Sequence, residues 1–222
     1  MRNLMVLFTC FITLHSVSQS FVRSSSLSEG GGGGGTISAF ISPTNGVDMS
    51  KIYLFDSWSN NAILTLIGSK NSIELDNINF NTSESKFATK MSNDSVFTFY
   101  NLKKVSINNK TYINYNDTFF LELVSLEKHG DVLQEFYLKE EKAKVHATTN
   151  TILEPKKVFI DSKFYLKSLN NELIEFKLNK KSILNLIDES KRTKVNTYVK
   201  DNRLKYNNIV DVKKVFTFYN TI

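Results

Sequence analysis

Cysteine is almost absent. Cys10 is the only one in 222 residues, and it lies inside the first twenty. The rest of the chain therefore cannot use a disulfide framework, a zinc-finger site or a cysteine nucleophile. Long apolar runs are missing too. Leu4 to Leu14 (LMVLFTCFITL) falls short of the roughly 20 apolar residues that span a bilayer. No later segment is long and apolar enough to be transmembrane, and no small-residue site with an apolar tail closes the chain, so no lipid anchor of that type is expected. Also missing are a nucleophile elbow, an HExxH pair and a paired-cysteine pattern. The charge excess is modest, at +6, and no dense basic patch carries it. Lys103-Lys104, Lys156-Lys157, Lys180-Lys181 and Lys213-Lys214 are scattered pairs interspersed with acids. This argues against a nucleic-acid partner and allows at most a weak contact with an anionic membrane face.

What is present is enough apolar material for a core. The chain is 41% hydrophobic and 23% charged, which excludes wholesale disorder. Arg2, the apolar run after it and Ser18-Gln19-Ser20 together read as a secretory signal peptide over residues 1–20. Residues 21–46 are rich in serine and glycine and hold six consecutive glycines, Gly30 to Gly35. A phosphate-cradling loop would need a strand before it, a helix after it and usually a lysine at its end. The segment has none of these and reads as a flexible linker.

The remainder reads as strands. Lys51 to Asp56, Ala62 to Ile67, Ser72 to Phe80, Val96 to Asn108, Lys110 to Tyr115, Thr118 to Ser125 and Leu133 to Lys139 are rich in Ile, Val, Tyr, Phe and Thr. Several alternate apolar and polar residues, as half-buried strands do. The expected class is mainly β.

An internal repeat organises these strands. VFTFYN occurs at Val96 to Asn101 and again at Val215 to Asn220. KIYL at Lys51 is matched by KFYL at Lys163, Asn60-Asn61 by Asn170-Asn171, and Lys70, Ser72 and Ile73 by Lys180, Ser182 and Ile183. Collinear matches argue for duplication. The expected architecture is two tandem copies of a small sandwich or meander, at 47–150 and 151–222, with a boundary near Ala147 to Pro155. Ser182 to Ile187 has helical spacing, but its counterpart in the first copy looks extended, so the repeat favours strand there, with a short helical turn following. The second copy stops at Ile222 and lacks the counterparts of Lys110 to Lys139. An incomplete sheet leaves an open edge. The candidate partner-binding edge is therefore Val215, Phe216, Thr217, Phe218 and Tyr219, acting by strand addition or self-association.

Catalytic and metal chemistry find little to stand on. His129 lies in a KHGD turn and His146 near the end of a charged run, and both read as surface residues. Asp188-Glu189 and Glu140-Glu141 are flanked by lysines and read as solvated charge. No catalytic residue, cofactor or metal is expected, and the protein is not expected to be an enzyme. Asn81, Asn93, Asn109 and Asn116 head glycosylation sequons, a weak signal in an asparagine-rich chain.

The apolar leader, the Ser/Gly spacer and the two VFTFYN units with their KIYL and KFYL starts resemble the secreted FAINT-domain proteins of piroplasm parasites (Babesia and Theileria). The resemblance is one of organisation and covers most of the chain. It implies release from spherical bodies into the infected erythrocyte, and action on unidentified host proteins in the cytoplasm or at the cytoplasmic membrane face. That destination is reducing and would account for the missing disulfides. The export motif R-x-L-x-E/D/Q of related parasites is not matched, because Arg23 to Glu29 reads RSSSLSE. The expected function is a non-catalytic binding or effector module. The alternative is a surface or secreted antigen with a structural or immune-facing role.

Overall fold

The computed structural model describes residues 39–43, 49–92 and 95–222. The proposed signal peptide, the glycine run and the sequon at Asn93 lie outside the described residues.

The protein is mainly β; the described residues form a four-stranded and an eight-stranded antiparallel sheet, a two-stranded hairpin and a helical cap. The smaller sheet holds β1 (Ala39–Pro43), β4 (Ile78–Asn81), β5 (Lys86–Ser92) and β6 (Ser95–Phe99), in the order β1-β6-β5-β4. The larger sheet holds β2 (Ala62–Leu66), β3 (Ser72–Leu75), β7 (Leu102–Ile107), β8 (Lys110–Tyr115), β9 (Thr118–Leu126), β10 (Gly130–Glu141), β13 (Lys157–Lys167) and β14 (Leu173–Phe176). Its order is β14-β13-β10-β9-β8-β7-β2-β3. A short hairpin, β11 (Lys144–Val145) with β12 (Ile152–Glu154), links β10 to β13. The helices are α1 (Met49–Ile52), α2 (Lys180–Asn185), α3 (Glu189–Asp201) and α4 (Ile209–Tyr219).

Local chemistry sets the turns of the larger sheet. Asn108-Asn109 joins β7 to β8 and Asn116-Asp117 joins β8 to β9, all four with positive φ near 50–60°. Two-residue hairpins of this kind match the strand twist, and Asn and Asp tolerate the left-handed region best after glycine. Between the sheets lies an aromatic core. Phe80, Phe87, Tyr112 and Phe119 are fully buried, and Phe87 packs 4.9, 5.3 and 5.0 Å from the other three. Leu64, Val105 and Ile107 supply the floor from β2 and β7. A second core joins Leu126, Val132 and Leu166 of the larger sheet to Ile183, Val195, Val212 and Phe216 of the helices.

The structure corrects several expectations. Ala39–Pro43, inside the segment read as linker, is a strand paired with β6. Lys51 to Asp56 is not a strand: it continues from α1 into a single bridge at Tyr53. Ser72 to Phe80 and Val96 to Asn108 each divide into two strands that lie in different sheets. The boundary near residue 150 is crossed by the sheet itself, because β13 pairs with β10 from Asp131↔Lys167 to Glu141↔Lys157. Residues 151–222 complete the same sheet and core, so they are not a second copy standing beside a first.

The second half is also the more helical. Lys180–Asn185 is α2, capped by the Asn179 side chain, which accepts from the Ser182 N–H. Helical spacing of Ile183, Leu184 and Ile187 prevailed over the analogy with the first copy. Val215–Tyr219 lies in α4, so it offers no strand edge. Val212, Val215, Phe216 and Tyr219 are buried at the i, i+3, i+4, i+7 spacing of a helix face. The Asn208 carbonyl oxygen of the side chain caps the Val210 and Asp211 N–H groups. The same hexapeptide at Val96 is strand because β1 and β5 flank it on both sides. Identical residues took opposite structures because their neighbours differ.

Candidate functional site

The long strands β10 and β13 present a continuous face of alternating aromatic and charged side chains. The register fixes its members. Leu133 faces Tyr165, Glu135 faces Lys163, Tyr137 faces Asp161 and Lys139 faces Phe159. On the other side of β10, Leu133 faces Glu122 and Glu135 faces Phe120. The opposite parity of β10 carries Val132, which joins the core under the helices, and Phe136, which packs on the aromatic core.

Hydrogen bonds, ring contacts and cation–π contacts join neighbouring rungs. The Tyr165 hydroxyl donates to Glu135 Oε2 at 2.7 Å, and its ring meets Phe120 edge-on at 5.5 Å. Tyr137 Oη and Lys139 Nζ both reach Asp161 Oδ2, at 3.3 and 3.0 Å. Lys139 lies over the Phe159 ring at 5.4 Å, Lys163 over Tyr137 at 5.3 Å and Lys167 over Tyr115 at 5.7 Å. Cation–π stacking of this kind holds long lysine side chains against the sheet.

The electrostatics follow from these contacts. The Lys139 hydrogen bond holds the Asp161 carboxyl below the usual carboxylate range, helped by the Ser162 N–H. Burial, then donation to Glu135, pushes the Tyr165 hydroxyl up. Burial also raises the Glu122 carboxyl. Aromatic rings, paired charges and half-buried lysines suit contact with another macromolecule: the rings supply apolar area with little rotamer freedom to lose, and the charges supply register.

The residues singled out from the sequence fall elsewhere. His129 sits in the turn between β9 and β10, its Nε2 3.5 Å from Asp188 Oδ1 and 3.4 Å from the Tyr219 hydroxyl. Both partners meet the same ring nitrogen, whereas a proton relay through imidazole uses both. His129 therefore ties the turn to α3 and α4. His146 is exposed, and its Nδ1 accepts from the N–H groups of Thr148 and Thr149. Asp188 pairs with Lys128 at 3.1 Å, and Glu140 with Lys156 at 2.7 Å. Val215, Phe216 and Tyr219 are buried under α4, Thr217 is exposed, and Phe218 is half-buried and stacks on Tyr198 of α3 at 4.1 Å. Among the described residues no group of three or more His, Cys, Asp or Glu is placed to hold a metal ion, and no helix is long and apolar enough to cross a membrane.

The sequons differ in access. Asn81 is buried, its side-chain oxygen accepting from the N–H groups of Ser83 and Glu84. Asn109 and Asn116 stand exposed at hairpin turns.

The β10–β13 face was not singled out from the sequence. LQEFYLK carries its alternation openly, but only the pairing of β13 with β10 brings the two halves together. Compared with protein-family models, curated proteins and solved structures, the chain matches none.

Proposed function

We propose that this protein is a secreted, non-catalytic binding module that engages a protein partner through the β10–β13 face. The observation that carries this reading is the ladder of Tyr137, Lys139, Phe159, Asp161, Lys163 and Tyr165, pre-ordered by its own hydrogen bonds and cation–π contacts. A pre-ordered surface loses less side-chain entropy on binding than a mobile one. The resemblance to the FAINT-domain proteins of piroplasms adds the setting: release from spherical bodies into the infected erythrocyte, and an unidentified host protein at or near the cytoplasmic face of its membrane. The near absence of cysteine supports a reducing destination. In this reading the VFTFYN duplication is one of sequence, the second copy having taken a helical structure.

The test has two parts. A tagged chain is localised in cells of its source organism, and its recovery with the host membrane fraction is compared with that of the Tyr137→Ala, Lys163→Ala double variant. Residence inside the host cell, with recovery lost in the variant, supports the reading. Residence on the secreting cell or in the medium favours the surface-antigen reading. Residence in the host with unchanged recovery of the variant removes the face from the mechanism.

A further inference from the structure

The helical cap carries the chain's entire charge excess. The chain has 28 Lys and Arg against 22 Asp and Glu. Residues 180–222 hold ten of the first and four of the second, which leaves eighteen of each in the rest of the chain. The cap packs on the side of the larger sheet that carries Val132 and Leu166, whereas the β10–β13 ladder has the opposite parity, with Leu133 and Tyr165. The positive surface is therefore separate from the ladder.

On its solvent side the cap is apolar as well as basic. Tyr198 of α3 and Phe218 of α4 stack at 4.1 Å with their planes 7° apart, and both are half-buried. Two grooves flank the stack. One, of about 500 Å³, runs along α4 past Val210 and Thr217 and is bordered by Lys213 and Lys214. The other, of about 370 Å³, lies along α3 and is bordered by Lys194 and Asp201. Val210 is 61% exposed. With Lys214 and Thr217 it has the i, i+4, i+7 spacing of one helix face, opposite the buried Val212, Val215 and Tyr219. Lys194 and Lys213 make no ion pair among the described residues, and Lys214 lies 3.9 Å from Asp211. Asp201 is the single acid that borders either groove.

We propose that this face docks an amphipathic helix of a protein partner, one whose apolar stripe is flanked by Asp and Glu. Its apolar side chains, three and four residues apart, seat in the grooves on either side of the Tyr198–Phe218 stack, and its carboxylates meet Lys194, Lys213 and Lys214. Charge complementarity selects this occupant. A second copy of the chain would bring the same positive excess against the cap and be repelled. The paired concavities also suit a helix ridge better than a flat lipid surface. The largest apolar side chains there, Tyr198 and Phe218, lie against each other instead of projecting outward, whereas a membrane-seated face buries projecting apolar groups among the lipids.

Fluorescence anisotropy of the full chain with two labelled synthetic peptides tests this. Both form helices with the same leucine stripe, flanked by glutamates in one and by lysines in the other. The glutamate peptide is expected to bind with a Kd of about 100 μM or below at low salt. The lysine peptide is expected to bind at least about tenfold more weakly. The Lys213→Glu, Lys214→Glu double variant changes only exposed side chains and should weaken the glutamate peptide about tenfold or more. Val210→Ser should weaken it severalfold while melting no lower than the parent, a loss that charge alone would not produce. The Tyr137→Ala, Lys163→Ala variant of the ladder should bind it as the parent does, which separates this face from the β10–β13 reading. Equal binding of the two peptides, no binding of the glutamate peptide at about 1 mM, or unchanged affinity in either cap variant would each overturn the proposal. Retention of the chain on phosphatidylserine vesicles that the glutamate peptide fails to displace would overturn it too, and would assign the face to a lipid surface.

Discussion

The hydroxyl of Tyr219, near the end of α4, lies 3.4 Å from Nε2 of His129 in the β9–β10 turn. Around this pair the helical cap is fastened to the larger sheet. Asn220 Nδ2 donates to the Ser125 carbonyl at 2.7 Å, and Lys191 donates to the Ile222 carbonyl while its Nζ sits 4.9 Å from the Tyr219 ring centre. The ring is the larger contributor, because it is 4% exposed and the hydroxyl contact is long for a hydrogen bond. Tyr219→Ala should therefore cost about 3–5 kcal/mol, the usual range for emptying an aromatic site. Tyr219→Phe should cost less than about 1 kcal/mol. Urea melts of both variants check this. Equal losses would mean that the hydroxyl, and not the ring, fastens the cap.

Gly130 closes the same turn with φ of +110°. A Cβ there would stand 2.0 Å from the Lys167 carbonyl oxygen on β13. That oxygen belongs to backbone held in the sheet and cannot swing aside. Gly130→Ala therefore combines an unfavourable dihedral with a backbone clash, a loss on the order of 3 kcal/mol. Gly68→Ala is the control. Gly68 also has positive φ, at +77°, but a Cβ there meets nothing within 4 Å. Its loss should stay near 1 kcal/mol. Thermal melts of the two variants should separate clearly, and overlapping transitions would refute the close approach of β10 to β13.

Asn79 acts as a piece of backbone. It is fully buried. Its side-chain oxygen accepts from the N–H groups of Phe55 and Phe80 at 3.0 and 2.8 Å, and its Nδ2 donates to the Phe55 carbonyl at 2.7 Å. Residues 53–60 have little regular structure of their own, so this amide holds them on the smaller sheet. Asn79→Ala strands the Phe55 groups and should cost about 2–4 kcal/mol. Proteolysis should then cut first between Phe55 and Asn60, since that segment loses its anchor. Uniform loss without preferential cutting would assign Asn79 a purely global role.

Legibility in the sequence followed the range of the interactions. Lys110 to Tyr115 and Thr118 to Ser125 read correctly as strands because alternation and an Asn-Asp turn are local signals. KIYL was misread because α1 and its bridge at Tyr53 depend on β4, far along the chain. VFTFYN misled most. As a hexapeptide it fits a strand, and only a longer window, from the Asn208 cap through Val212 to Tyr219, displays the helical stripe. The β10–β13 face was half legible: parity within each strand can be read from the sequence, but the partner strand cannot.

Asp161 offers a test of the β10–β13 ladder that does not need a partner. Its carboxyl is held below the usual range first by the Lys139 hydrogen bond and then by the Ser162 N–H. A depressed folded pKa means that the unfolded chain binds the proton more readily. The stabilisation is therefore present above the unfolded value of about 3.9 and is lost as pH falls through the folded value. Asp161→Asn should melt below the parent at pH 7, and the gap should close on acidification below about pH 4. Asp161 and Lys139 are 35% and 43% exposed, so solvent screens the pair and the gap at pH 7 should be only a few degrees in Tm. High salt should shrink it further. A gap that stays constant from pH 7 to about pH 3 would mean that the carboxylate charge contributes nothing, and that Tyr137 and Lys139 are placed by packing alone. In that case the ladder would be less pre-ordered than its hydrogen bonds suggest, and the argument for low-cost binding through this face would weaken with it.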